Sequence, residues 1–182
     1  LKKINNIIGY NFRLGEIESA IGSVQLKKLP TIIERRQFLA QKLNEGLKDL
    51  NGLTIPYVDK NSTHVYYVYA LKIDSSKIGV HRDRIFDALV AEGVIINKNY
   101  MNVHLLPLFQ NKIAYGVNGF PWNSEFCDRE IDYRHGICPI AENMNDKKYL
   151  SIGLCRFNYT DEDISLIIKA FHKVWDNLKY LK

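Results

Sequence analysis

The chain has 182 residues, 46 % of them hydrophobic and 25 % charged, a balance ordinary for a globular protein that buries one core. Lys and Arg outnumber Asp and Glu by 25 to 20, a net charge of +5, but the cations are scattered (Lys27-Lys28, Arg35-Arg36, Arg82/Arg84, Lys147-Lys148), whereas nucleic-acid binders gather theirs on one face. No apolar run approaches the ~18 residues of a membrane span, and Leu1–Asn6 lacks the apolar stretch of a signal peptide. No nucleic-acid or membrane partner is therefore expected, and a cytoplasmic location is.

Residues 1–13 read as a polar loop, in which Asn11 has the side chain of a turn former. From Leu14 the positions Ile17, Ala20, Ile21 and Val24 recur at helical spacing, with Gly22 and Ser23 small enough to admit a close neighbour. Pro30 lacks an N–H and is expected to kink this helix or open a second segment at its first turn. The stripe resumes through Ile32, Leu39, Leu43, Leu47 and Leu50, and Asn51-Gly52 ends it. The expectation is a loop and long kinked helical arm over 1–52, with no globular core before residue 50, so that the arm packs on something else. A small α+β domain is expected over 53–182, its antiparallel sheet backed by helices.

Within that domain, His64–Ile73 is rich in β-branched and aromatic residues and is predicted to be a strand. An amphipathic helix over 80–92 closes at Gly93, and Val94-Ile95-Ile96 reads as a short strand. Residues 103–125 are punctuated by Pro107, Gly116, Gly119 and Pro121, and a further helix is predicted from Ser124 to His135. Tyr149–Leu154 is the third predicted strand. The last helix begins at about Thr160, where Thr160-Asp161-Glu162-Asp163 fits a capping box. Cys127, Cys138 and Cys155 are odd in number and have neither zinc nor C-x-x-C spacing, which points to reduced thiols. His64, His81, His135 and His172 also lack metal-ligand spacing and read as structural or surface residues. No metal site is expected. Tyr66, Tyr67 and Tyr69 read as sheet and core packing.

The segment Gly9-x-Asn11-x-Arg13…Glu16…Ala20-x-Gly22-x-x-Gln25-Leu26 resembles the G-x-N-x-R…E…A-x-G-x-x-Q-L segment of the DegT/DnrJ/EryC1/StrS family of sugar aminotransferases. Further blocks follow in the family's order. Gly79-Val80-x-Arg82-x-x-x-Phe86-x-x-Leu89-x-x-x-Gly93-Val94 is similar to its helix and strand. Tyr100-Met101-Asn102-Val103-His104-Leu105-Leu106-Pro107 is similar to its Y-x-P-x-H-x-x-P, and Pro139-Ile140-Ala141-Glu142 to its P-x-A-E. Asn102 departs from the family's Pro, and Ile152-Gly153 from its Leu-Pro.

The resemblance implies the C-terminal part of a fold type I enzyme that depends on pyridoxal phosphate, a cofactor that supplies an electron sink once held. The complete enzyme would form a homodimer with shared active sites. It would move an amino group, with glutamate as donor, onto a nucleotide-linked keto sugar for surface polysaccharide, glycan or antibiotic-sugar synthesis. The family's first block lies past the middle of its members, so the cofactor lysine is expected upstream of Leu1 and this stretch is expected to be inactive by itself. By match, Asn11 would reach the cofactor phosphate, and Arg13 and His104 would meet the phosphates or sugar of the substrate. The residues admit plainer readings: Asn11 as a turn, Arg13 as an ion-pair partner of Glu16 or Glu18, His104 as a buried structural histidine. A sugar 3-dehydrase of the same family and a non-catalytic interaction domain remain open alternatives.

Overall fold

The computed structural model describes residues 13–114 and 119–182. The chain divides into two compact units, the first ending at Arg35 and the second running from Arg36 to Lys182.

Helix α1, Glu16–Leu26, follows Gly15, which is extended (φ −72°, ψ 162°). Glu16 and Glu18 in its first turn complement the partial positive charge of exposed N–H groups. Not one α1 residue is buried. Ile17 is 76 % exposed and Ile21 57 %, as the amphipathic stripe without a core of its own implies. Lys27 and Lys28 break the helical run, and α2, Leu29–Leu47, restarts with Pro30 in its first turn, where the missing donor costs nothing.

The second unit begins within α2, and one expectation is corrected here. Leu39, Ala40, Leu43, Leu47 and Leu50 are buried core residues, so a globular core does begin before residue 50. Two glycines allow this. At Gly46 a Cβ would lie 2.6 Å from the Ile168 side chain, so a larger residue would push α2 away from the last helix. Gly52 has φ +74°, and a Cβ there would meet Ile78 at 2.6 Å; only glycine turns the chain at that point without strain.

The sheet has three antiparallel strands in the order β1 (Leu53–Thr54), β2 (Tyr69–Ile73), β3 (Tyr149–Ile152). Its register pairs Leu53 with Ile73, and Tyr69 with Ile152. Tyr69, Leu71 and Ile73 alternate into the core beside Leu150 and Ile152. The phenol of Tyr69 donates to Asn44 Oδ1 at 2.7 Å, which satisfies its one buried polar atom. Tyr66 is buried as well, whereas Tyr67 is exposed.

Helix α3, Ser75–Ile78, is capped by the Asp74 side chain, and α4, Arg82–Ala91, by His81, whose Nδ1 accepts from the Asp83 N–H. After α5, Pro107–Gln110, and α6, Pro139–Asn143, a single π-helical turn over Met144–Lys148 leads into β3. Helix α7, Asp161–Asp176, has the predicted capping box: Thr160 Oγ1 accepts from the Asp163 N–H, and the Asp163 carboxylate accepts from the Thr160 N–H. It buries Ile164, Ile167, Ala170, Phe171 and Val174 against the core.

Three predicted elements differ. The strand expected over 64–73 pairs only from Tyr69, because Tyr66 is left-handed (φ 48°) and its N–H is held by His64 Nδ1 at 2.8 Å. Val94–Ile96 forms no ladder; its alternate side chains are buried, and only Asn97 bridges, to Ser151 on the outer edge of β3. Ser124–His135 is not a helix but a series of turns tied by side chains, such as Gln110 Nε2 donating to Tyr133 O.

Arg82 is 2 % exposed. Its guanidinium donates to the carbonyls of Lys98 (2.5 Å), Tyr149 (2.7 Å), Asp146 (2.6 Å) and Asn145 (3.2 Å), and its Nε to Asp83 Oδ1 (2.8 Å). The planar fork reaches the π-turn and the 98–102 loop at once, which an ammonium cannot. Arg82→Met deprives these carbonyls of their donor, and orphaned buried acceptors cost about 1–3 kcal/mol each without full additivity. A loss of roughly 3 kcal/mol or more is expected, or about 6–12 °C in Tm for a chain of this size. Arg82→Lys should fall between the two in thermal melts followed by circular dichroism.

Candidate functional site

The polar cluster beside the π-turn is assembled from two short segments. Residues 100–105 approach it as an extended stretch ending in a 3-10 turn, Val103–Leu105. The Tyr100 N–H donates to Asn145 Oδ1 at 2.7 Å, and Asn102 Nδ2 to Asp146 Oδ1 at 3.0 Å. Gln110 Nε2 bonds the His104 carbonyl at 2.8 Å and so holds the turn from its far side. The second segment is the start of α6. Pro139 occupies its first position, where no N–H is required, and Glu142 reaches back over the helix start.

Glu142 is the centre of the cluster and is 4 % exposed. Its carboxylate accepts from His104 Nε2 at 2.8 Å, from the Gly136 N–H at 2.9 Å to each oxygen, and from the Cys138 N–H at 3.2 Å. His135 Nδ1 lies 3.4 Å from Glu142 Oε2, and its Nε2 lies 3.6 Å from Asp146 Oδ2. Burial pushes the Glu142 carboxyl up. The Gly136 N–H, the His104 bond, the Cys138 N–H and the nearby His135 together outweigh that, and hold it below the usual carboxylate range. A shallow cleft of about 200 Å³ is lined by Tyr100, Met101, Asn102, Ala141, Met144 and Tyr149 among others, drawn from the same two segments and the π-turn.

His104 is thus nearly buried, its side chain 11 % exposed, and hydrogen-bonded to Glu142. Arg13 belongs to the first unit, where it is exposed directly before α1. Asn11 lies outside the described residues. Sequence reasoning passed over Glu142, noting it only as the last letter of a motif, and Arg82 in the same way. Glu142 meets His104 from 38 residues away, and Arg82 meets three carbonyls 63–67 residues away, separations that no periodicity reveals. His135 also gains a role, at the exposed rim of the cluster.

The described residues do not fit pyridoxal phosphate by themselves. A lysine that holds such a cofactor is desolvated or set beside another cation, and the buried charged side chains among the described residues are Arg82 and Glu142. Among the described residues, no group of three or more His, Cys, Asp or Glu is placed to hold a metal ion.

The model of the DegT/DnrJ/EryC1/StrS aminotransferase family matches residues 2–151. The chain is 27 % identical over 139 residues to the spore coat polysaccharide biosynthesis protein SpsC of Bacillus subtilis, covering 76 % of this chain and 34 % of that protein. Its fold is similar to that of the aminotransferase TlmJ from Streptoalloteichus hindustanus, with a TM-score of 0.68, 24 % identity, and coverage of 96 % of this chain and 40 % of the other. It is also similar to the sugar aminotransferase CalS13 from Micromonospora echinospora, with a TM-score of 0.64, 16 % identity, and coverage of 92 % and 37 %. The chain spans about a third of the length of the curated relatives it matches. The architecture is that of the C-terminal domain of a fold type I aminotransferase, and aminotransferases of this family depend on pyridoxal phosphate.

Two outcomes follow from this geometry. Because the Glu142 carboxyl titrates lower folded than unfolded, its contribution to stability is present above the unfolded carboxyl's pKa, about 4.3, and is lost as pH falls through the folded value. The Tm advantage of wild type over Glu142→Gln should therefore shrink on acidification below about pH 5, in melts across a pH series; a constant difference would contradict it. Separately, incubating the 182-residue chain with pyridoxal phosphate and borohydride should label no single lysine stoichiometrically, as read by peptide mass mapping.

Proposed function

The chain belongs to the DegT/DnrJ/EryC1/StrS aminotransferase family, and from that membership we propose that it is the C-terminal part of an enzyme that aminates a nucleotide-linked keto sugar. The family match over residues 2–151 carries this reading. It is supported by the C-terminal-domain fold and by the name of SpsC, which places that relative in polysaccharide biosynthesis. Glutamate is the proposed amino donor, and surface polysaccharide, glycan or antibiotic-sugar synthesis the proposed setting. The cofactor lysine is proposed to lie outside these 182 residues, in a large domain on which the loop and the exposed first part of the arm dock; because Leu39–Leu50 pack into the core, the smaller domain begins at Arg36 rather than at residue 53. The complete protein is proposed to act as a cytoplasmic homodimer with shared active sites. No helix among the described residues is long and apolar enough to cross a membrane.

Three residues receive roles in this reading. Asn11 donates to the cofactor phosphate of the partner subunit's site. Arg13, exposed at the entry to α1, meets the substrate's phosphates or sugar. His104, held by Glu142, contacts the substrate at the active-site mouth.

In the complete protein, purified and supplied with pyridoxal phosphate, glutamate should be consumed in step with amination of a nucleoside-diphosphate keto sugar; no amination across a panel of such sugars would count against the reading. Asn11→Ala should weaken cofactor affinity roughly tenfold or more, since a hydrogen bond to a charged group contributes about 1.5–3 kcal/mol. The melting curve without cofactor should barely change. Unchanged affinity with a lowered Tm would make Asn11 a turn residue only.

A further inference from the structure

We propose that Glu142 is a positioning residue that fixes the tautomer of His104, so that His104 presents a bare Nδ1 to a hydroxyl of the sugar rather than an N–H to its phosphates. The ligand assignment rests on the proposed function; the tautomer does not.

Every group that faces the Glu142 carboxylate within hydrogen-bond reach from the backbone is a donor: the N–H of Gly136 meets both oxygens, and the N–H of Cys138 meets Oε1. Backbone N–H groups that donate to both oxygens stabilise the charged carboxylate over the acid, and so favour the ionised, acceptor-only form. His104 Nε2 sits 2.8 Å from the same Oε1. Two acceptors at that distance repel, so Nε2 must carry the proton. A neutral imidazole has one N–H, and with Nε2 protonated its Nδ1 is a lone-pair acceptor.

Nδ1 is the ring's remaining polar atom and makes no hydrogen bond to the described residues. The other ring that approaches Glu142 differs. His135 is 68 % exposed in its side chain and stands between two carboxylates, Glu142 and Asp146, so its proton positions are not set by one bond. A bare Nδ1 accepts from a hydroxyl and is repelled by phosphate oxygens, which are acceptors too. Of the two substrate parts open to His104, phosphates or sugar, the geometry selects the sugar hydroxyls.

The test begins with the full 182-residue chain labelled with 15N-histidine. Two-bond 1H–15N correlation above neutral pH reads each ring's protonation, with the His104 signals assigned by their loss in His104→Gln. The expected result is His104 protonated at Nε2 only. Protonation at Nδ1, an even mixture of tautomers, or a persistent imidazolium would overturn the proposal. Glu142→Ala should release His104 to a mixture. If circular dichroism shows that variant unfolded, Glu142→Gln serves instead: its amide oxygen still accepts, but the neutral bond is weaker, so the Nε2 proton should move upfield and exchange faster with water. A His104 signal unchanged in the folded variant would overturn the role of Glu142.

The ligand half is read in the complete enzyme with the nucleoside-diphosphate keto sugar as probe. His104→Gln keeps a donor towards Glu142 and removes the acceptor at the Nδ1 position, whereas His104→Asn places an amide oxygen near that position. The KM for the sugar should rise roughly tenfold in the Gln variant and less in the Asn variant. A larger rise in Asn than in Gln would overturn the hydroxyl assignment while leaving His104 as a substrate contact. No change in either, with the tautomer as expected, would refute the substrate reading of His104 itself and leave only its fixed tautomer.

Discussion

The geometry of the polar cluster depends on one buried cation. Arg82 opens α4, turns inward, and places its guanidinium among the carbonyls of Lys98, Asn145, Asp146 and Tyr149. Burying a charge is costly unless its donors are satisfied; here all the nitrogens find oxygen partners, and only Asp83 among them is a formal anion. The acceptors are mostly backbone dipoles. They belong to the stretch after Asn97, the π-helical turn and the first residue of β3. The guanidinium supplies what a sheet ladder supplies elsewhere, a fixed distance between two strands of chain. On that frame, Tyr100 and Asn102 bond Asn145 and Asp146, and His104 arrives within reach of Glu142.

Glu142 solves the same problem with the opposite sign. A buried carboxylate without partners would take up a proton. This one is surrounded by backbone N–H groups and two histidines, and its pKa falls despite burial. Arg82 gathers carbonyls and Glu142 gathers N–H groups, so between them they satisfy the irregular backbone on both sides of α6. The difference lies in what is left over. Arg82 has no polar atom to spare, whereas the Glu142 cluster ends in a histidine whose second nitrogen is uncommitted. That makes the His104 end, rather than the Arg82 end, able to engage a ligand.

Features set by local chemistry were legible in the sequence. The capping box of Thr160 and Asp163, the break near Pro30 and the apolar stripe of α7 each follow from residues within one or two turns of one another, whereas α2 ends at Leu47, before the expected stop at Asn51-Gly52. Features set at a distance were not. His64–Val68 has the composition of a strand, but a hydrogen bond from the Tyr66 N–H to the His64 ring turns the chain before pairing can start. Val94–Ile96 alternates as a strand does, yet among the described residues its contact with β3 is a single bridge from Asn97 to Ser151. The core position of Leu39–Leu50 depends on Gly46 admitting Ile168 of α7, a contact invisible in a helical stripe. The same holds at the site. His104 was singled out because a motif contains it, whereas Arg82 and Glu142 become legible only once segments more than thirty-five residues apart are brought together.

The proposed site residues differ in what fixes them. His104 is ordered by its own unit, through Glu142, Gln110 and the frame that Arg82 holds. Asn11 and Arg13 precede α1, an eleven-residue helix without a buried side chain. Isolated helices of that length are marginal in water, and most helical stability in proteins comes from packing an apolar face. Such packing is not provided for Ile17, Ile21 and Val24 by the described residues, which leave all three more than half exposed. In the proposed complete enzyme, covering that stripe would stabilise the helix and fix the direction of the chain that enters it. The phosphate contact assigned to Asn11 would then form only with the surrounding assembly, while the hydroxyl acceptor at His104 is built into the fold of residues 36–182.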